Sequence, residues 1–181
     1  MARPPHARER VLDAYEAMLI SDGERAATLD AVARAAGVSK GGLLYHFASK
    51  DELAAAMIAR LERLGIEDVE RIRTAPEGPV EHYLRTSVMM DDDLDRAIIA
   101  ATRLAQGGST AATEALHRMR EESAEAIRPH VRDQAALDLV MLLSDGLFFN
   151  NAVDADGSDD VVPSGAELDA LVALVLRSVA S

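Results

Sequence analysis

Apolar residues recur at helical spacing along almost the whole chain. The first such stretch covers roughly residues 6–22 and ends at Gly23, a residue type that often follows helices. Its apolar stripe consists of Val11, Leu12, Tyr15, Met18 and Leu19. Segments that alternate polar and apolar residues, as half-buried strands do, are almost absent, and β-branched runs are few. The pattern therefore predicts an all-α fold.

Two short helices joined by a glycine-containing turn follow the first helix. Thr28 is a good N-cap for a helix of about two turns, and Gly37 ends it. Ser39 is the N-cap of the next helix, which runs to about His46. Such a pair is typical of the helix-turn-helix, whose second helix enters the major groove of DNA. The same arrangement also occurs in proteins that never contact DNA, so the spacing leaves both interpretations open.

Two consecutive glycines, Gly41 and Gly42, lie in the first turn of this second helix. Each glycine in a helix costs about 1 kcal/mol relative to alanine. Without side chains, this turn can bring its backbone close to phosphates or base edges, and its N–H groups are available to a phosphate. We expect Leu43 or Leu44 to turn inward together with Phe47. The stretch therefore combines DNA contacts with core residues.

A longer helix is predicted from Ser49 to about Arg73, because Ser49 and Glu52 form a capping-box pattern in which Glu52 bonds back to the backbone. Two prolines between residues 74 and 79 end it. Apolar spacing then predicts five more helices, at about 80–89, 94–106, 110–128, 133–152 and 165–179. The last two are apolar over a broader face than a surface helix needs.

The net charge of −12 belongs to the later part of the chain. Residues 1–63 carry nine basic and nine acidic residues, whereas residues 64–181 carry ten and twenty-two. The first part is therefore neutral overall, and a basic face on it is compatible with DNA binding. The chain has no cysteine, which excludes disulfides and thiolate metal sites. No signal-peptide core or membrane-length apolar run is present, so we expect a cytoplasmic protein with no membrane contact.

The stretch at residues 28–53, TLDAVARAAGVSKGGLLYHFASKDEL, resembles the DNA-binding signature of the tetracycline-repressor (TetR) family. The shared features are an Ala-Gly-Val-Ser turn, then Lys-Gly, Tyr-x-Phe and Ser-Lys-x-x-Leu, and the resemblance covers roughly residues 7–55. The remainder of the chain resembles the family only in being helical and of suitable length. Gly42 departs from the pattern, because many relatives carry a side chain there. The resemblance therefore implies base readout through fewer contacts.

The family resemblance implies a bacterial transcription regulator that acts as a repressor, and not an enzyme. Residues 1–50 would form a three-helix helix-turn-helix DNA-binding domain, and residues 51–181 a helical domain for effector binding and dimerisation. A homodimer formed through the helices at about 133–152 and 165–179 would bind a palindromic double-stranded operator. A small-molecule effector of unknown identity would release it, and no cofactor or metal is expected. The implied DNA contacts are Thr28, Ser39, Lys40, Gly41, Gly42, Leu44, Tyr45, His46 and Lys50.

An effector pocket is expected among the helices between residues 80 and 150. Adaptable apolar groups mixed with a few polar ones suit small ligands. The side chains selected on this basis are Met89, Met90, Arg103, His117, Arg120, Phe148, Phe149 and Asn151. Each of these residue types also occurs in ordinary core or surface positions.

An alternative function rests on Glu114 and His117, which form a Glu-x-x-His sequence on a predicted helix. Two such sequences on neighbouring helices supply much of a di-iron carboxylate site. The chain contains no second Glu-x-x-His. The alternative is a helical-bundle metal-binding protein or enzyme that uses this helix.

Overall fold

The computed structural model of the chain describes residues 6–88, 92–153 and 162–180. These residues form nine α-helices and one 3-10 turn, and no β-strand occurs among them. The all-α prediction is therefore confirmed. In chain order, the helices α1 to α9 are His6–Asp22, Leu29–Ala35, Lys40–His46, Lys50–Thr74, Pro79–Thr86, Asp93–Gln106, Thr110–Ile127, Gln134–Val153 and Gly165–Val179.

The predicted helix boundaries agree with the structure to within one or two residues at most ends. The largest difference is at α5, which ends at Thr86 and not near residue 89. The hydroxyl of Ser87 donates to the carbonyl oxygen of Tyr83 at 2.7 Å, which satisfies one of the carbonyls left unpaired at a helix end. After Ile127 the chain continues as the 3-10 turn Arg128–His130.

The chain divides into two compact units. The first unit comprises the described part of Met1–Gly65 together with Asp93–Arg118, and the second comprises the described parts of Ile66–Asp92 and Met119–Ser181. Helices α4 and α7 each contribute to both units. Packing units need not coincide with functional domains, so the division at residue 50 stays a prediction.

The first unit holds the predicted helix-turn-helix. Helix α1 packs against α2, α3 and α6, and α2 packs against α3. Leu43 and Phe47 are buried, whereas Leu44 is 38% exposed, so Leu43 is the leucine that turns inward. The buried apolar side chains of this unit include Val11, Leu12, Tyr15, Leu19, Val32, Leu43, Phe47, Leu53, Met57 and Leu61. Helix α3 is therefore fixed from one side by apolar packing.

The second unit has its own apolar core. Helix α5 packs against α8 and α9, and α8 packs against α9. The core residues include Val69, Ile72, Val80, Leu84, Ile127, Leu137, Val140, Met141, Val172, Val175 and Val179. None of the described helices is both long enough and apolar enough to cross a bilayer.

Candidate nucleic-acid interface

Local hydrogen bonds define the ends of the two short helices. The hydroxyl oxygen of Thr28 accepts from the N–H of Ala31 at 3.3 Å, and that of Ser39 accepts from the N–H of Gly42 at 3.0 Å. Both predicted N-caps are confirmed. Gly37, in the turn, has φ of 65°, a left-handed conformation that favours glycine. The sequence therefore specifies where α3 begins and the turn from which it projects.

One side of α3 is exposed. Lys40, Gly41, Leu44 and Tyr45 lie together on it, because residues four apart in a helix are neighbours. Tyr45 is 74% exposed. We call these four residues the recognition face. Because the opposite side of α3 is buried, this face is the surface that α3 offers to a partner.

The two glycines of α3 lie in different environments. Gly42 is buried within the chain, so it has little surface to present to DNA. Gly41 is exposed, and a Cβ atom added to it would meet no atom within 4 Å in the described part of the chain. Its φ is not positive, so neither space nor backbone conformation requires glycine there. The described structure therefore gives no internal reason for a glycine at position 41, and its contact with DNA stays a prediction.

The two lysines of the predicted interface are both paired with carboxylates of the first unit. Lys40 Nζ lies 2.9 Å from Oδ2 of Asp30, and both side chains are more than half exposed. Lys50 Nζ donates to the carbonyl oxygen of Glu24 at 2.6 Å and lies 3.4 Å from Oε1 of the same residue. Sequence reasoning missed both carboxylates, because the pairs join residues 10 and 26 positions apart.

Tyr45 and His46 form the end of α3. Their rings meet edge to face with centroids 5.1 Å apart. Nε2 of His46 is buried and has no hydrogen-bond partner among the described atoms. A contact from His46 to a nucleic-acid backbone would therefore use Nδ1 or the main chain, whereas the exposed ring of Tyr45 is accessible as it stands.

The residues predicted to contact an effector are distributed over the chain. Met89 and Met90 lie outside the described residues. Arg103 and His117 belong to the first unit and are exposed. The other four belong to the second unit and are Arg120, Phe148, Phe149 and Asn151. Their roles stay predictions.

Two of the second-unit residues have informative surroundings. Arg120 donates from Nε and Nη2 to Oδ2 of Asp145 at 3.0 and 2.9 Å, and this hydrogen bonding raises the pKa of Arg120. Nδ2 of Asn151 is buried without a hydrogen-bond partner among the described atoms. The guanidinium of Arg120 is thus already hydrogen-bonded to Asp145, whereas the Nδ2 amide group of Asn151 is free to donate to a ligand.

A buried polar group in the second unit was missed by the sequence analysis. The hydroxyls of Ser87 and Ser144 are 2.6 Å apart. Burial raises the pKa of Tyr83, and its hydrogen bond to Ser144 partly offsets that effect. Serine is common in helices, and these two are separated by 57 positions, so no local pattern indicated the pair.

A charged cleft of about 420 Å³ lies in the first unit, lined by residues of α1, α4 and α6. Arg60 of α4 donates to Glu9, Asp13 and Glu16 of α1 at 3.1, 2.7 and 3.0 Å. Burial alone would lower the pKa of Arg60, but its hydrogen bonds to Asp13 and Glu16 raise it. Arg96 of α6 also lies 3.4 Å from Glu16. These ion pairs join α1 to α4 and α6.

The metal-binding alternative gains no support from the structure. Among the described residues, no three His, Asp or Glu side chains are grouped closely enough to hold a metal ion. Glu114 Oε2 lies 4.0 Å from Nη1 of Arg118, and both of these side chains are exposed. His117 is also exposed. Glu114, His117 and Arg118 of α7 are therefore exposed surface residues.

Comparison with known proteins finds a family match over the candidate interface. Residues 11–57 match the family model described as "Bacterial regulatory proteins, tetR family". Over 58 residues, the chain is 38% identical to the HTH-type transcriptional regulator SrpR of Pseudomonas putida, a match that covers 32% of this chain and 27% of SrpR. The chain thus spans about a quarter of the length of that curated relative.

Solved structures resemble the chain over almost its whole length. NalD, described as the secondary repressor of the MexAB-OprM multidrug efflux pump in Pseudomonas aeruginosa, has a TM-score of 0.68 at 19% identity, covering 98% of both chains. The multidrug binding protein EbrR complexed with malachite green has a TM-score of 0.69 at 18% identity, covering 98% of this chain and 100% of EbrR. At these identities the likeness shows the fold.

Proposed function

We propose that this chain is a tetR-type regulator, a homodimeric repressor that binds a palindromic operator and is released by a small molecule. In this proposal residues 1–50 bind DNA, while residues 51–181 bind the effector and dimerise. The observation that carries the proposal is the recognition face of α3, an exposed surface on a short helix whose opposite side is buried. Bacterial DNA lies in the cytoplasm, so we also propose a cytoplasmic location for this protein.

The recognition face supplies the chemistry that DNA binding needs. Gly41 lets the backbone of α3 approach base edges, and Leu44 offers an apolar contact. The ammonium of Lys40 and the phenol of Tyr45 bind the phosphate backbone. The other proposed contacts, which flank this face, are Thr28, Ser39, His46 and Lys50. Gly42 is excluded from this set, because it is buried.

Tyr45→Ala is expected to weaken operator binding about tenfold without lowering the melting temperature, because the ring is exposed and contributes little to the core. Fluorescence anisotropy with a labelled operator duplex and thermal unfolding measure the two effects. His117→Ala, at another exposed residue of the first unit, is the control and should bind as the parent chain does. If both variants bind the operator with the same affinity, Tyr45 does not contribute to the interface.

Gly41→Ala should raise the stability of the protein and at the same time weaken its binding to DNA. An added Cβ meets no described atom within 4 Å, so the higher helix propensity of alanine should stabilise the protein by about 0.5–1 kcal/mol. If α3 approaches DNA closely at this position, operator binding should weaken in the same variant. Chemical denaturation and an operator titration on one preparation measure both. A stabilised variant with unchanged affinity would contradict the proposed role of Gly41.

The proposed dimer uses α8 and α9 of the second unit. Leu139, Leu142 and Phe149 of α8 are 45%, 66% and 66% exposed, and Leu174 of α9 is 54% exposed. Large apolar side chains grouped on exposed helix faces are typical of protein interfaces. Gly146 lies on the same face of α8 and has open space around it, so a partner helix could approach closely there.

The proposed effector is a small organic molecule bound in the second unit. EbrR and NalD, which share the fold, are described as a multidrug binding protein and as the repressor of a multidrug efflux pump. In this chain, the hydroxyls of Tyr83, Ser87 and Ser144 and the unused donor of Asn151 supply polar groups next to apolar side chains. An effector that prefers the DNA-free state would shift the population with a coupling of about 1–3 kcal/mol.

A further inference from the structure

The pairing of Lys40 with Asp30 bears on how strongly the recognition face can bind DNA. The ammonium of Lys40, the first residue of α3, contacts the carboxylate of Asp30 in α2 at 2.9 Å. The two side chains are 55% and 62% exposed. An ion pair this exposed holds its partners weakly, and either partner exchanges readily with another ion. Asp30 is therefore a competitor for any phosphate that approaches Lys40.

Lys50 provides a contrast within the same unit. Its ammonium donates to the main-chain carbonyl oxygen of Glu24 as well as lying near the Glu24 carboxylate, and its side chain is 34% exposed. A main-chain carbonyl cannot move away as a flexible side chain can. Lys50 is thus held in place at the start of α4, whereas Lys40 can exchange its partner.

A phosphate bound to Lys40 would lie close to the carboxylate of Asp30, because that carboxylate is itself in contact with the ammonium. Two anions would then share one cation, and their repulsion would offset part of the attraction. The phosphate backbone carries the same charge at every sequence, so this repulsion acts on all DNA.

We propose that Asp30 is an affinity-limiting residue of the interface: it neutralises Lys40 in the DNA-free protein and lowers the affinity of the recognition face for the phosphate backbone. This inference rests on the proposed function. As a consequence, phosphate contacts contribute less to the affinity for the operator, and base-edge contacts contribute a larger share. Binding to unrelated DNA, which lacks the base-edge contacts, is weak.

Asp30→Asn tests the inference, because the amide keeps the shape of the side chain and removes its charge. We expect the variant to bind both operator and scrambled duplex about three- to tenfold more tightly at low salt. The slope of log K against log salt concentration should become steeper, by at most about 0.9 per chain. Without Asp30, Lys40 neutralises a phosphate more fully and displaces more of the cations condensed on the DNA. Fluorescence anisotropy at several salt concentrations measures both quantities.

Glu62→Gln is the matched control. Glu62 also belongs to an exposed ion pair of the first unit, with Arg118 at 2.6 Å, and it lies outside the helix-turn-helix. The control changes the net charge by the same amount and should leave affinity and salt slope unchanged. Circular dichroism establishes that both variants are folded.

The outcomes separate the inference from the function on which it rests. If the parent chain binds DNA with a clear salt dependence and Asp30→Asn binds no more tightly, Asp30 does not limit affinity and the inference is wrong. Equal tightening by Glu62→Gln would likewise overturn it, because net charge would then explain the effect. If the parent chain shows no salt-dependent DNA binding, the proposed function itself is wrong and the inference with it.

Discussion

Leu142→Glu is expected to convert the dimer into monomers and to weaken operator binding by at least about 100-fold. Leu142 is 66% exposed in the isolated chain, so glutamate can replace it without entering the core of the monomer. In the proposed dimer the same position lies at the contact between the two chains, where an unpaired charge is costly to bury. Loss of the dimer also separates two recognition faces that would otherwise bind neighbouring half-sites together.

Sedimentation velocity and an operator titration measure these two effects. Ile66→Glu is the matched control, because Ile66 is 63% exposed and receives the same substitution outside α8 and α9. The control should remain dimeric and bind the operator normally. A Leu142→Glu protein that stays dimeric would exclude this face of α8 from the interface.

Arg60→Met should lower the free energy of unfolding by about 3 kcal/mol. Arg60 is 14% exposed and Glu16 is 7% exposed, so their ion pair is largely removed from water. Methionine leaves three carboxylates of α1 without this partner, and the buried Glu16 loses the most. The contact between Glu16 and Arg96 limits the loss, because it keeps one positive charge nearby.

Urea denaturation of a pair of variants checks this expectation. Arg118→Ala removes an arginine from the exposed pair with Glu62 and should cost only about 0–1 kcal/mol. Adding Glu16→Gln to Arg60→Met should recover part of the lost stability, because the buried charge is then gone. If the two variants have similar free energies of unfolding, the partly buried ion pairs of Arg60 do not stabilise the protein more than an exposed pair does.

Local signals account for most of what the sequence predicted correctly. Thr28 and Ser39 were predicted as N-caps, and each accepts a backbone hydrogen bond at its helix start. Half of the predicted capping box forms at the start of α4: the hydroxyl oxygen of Ser49 accepts from the N–H of Glu52. The carboxylate of Glu52 accepts from the N–H of Ala48 and not from that of Ser49. Caps and apolar periodicity act over a few residues, so a single sequence displays them.

Contacts between distant positions account for what the sequence could not show. Asp30 with Lys40, and Arg60 with the carboxylates of α1, join different helices, and no periodic pattern marks such partners. The choice between Leu43 and Leu44 was also open, because it depends on how α3 is rotated against α1 and α2. The effector residues stay predictions for the same reason, since a pocket is defined by packing between helices and not by local sequence.

In the proposed function, the recognition face of α3 belongs to a DNA-binding regulator. Fluorescence anisotropy of the purified chain, titrated against the intergenic DNA upstream of its own gene and against a scrambled duplex at two salt concentrations, tests it most directly. We expect tighter binding to the upstream DNA, with an affinity that falls steeply as salt rises. Equal and salt-independent binding to both duplexes, or no binding to either, would contradict the proposal.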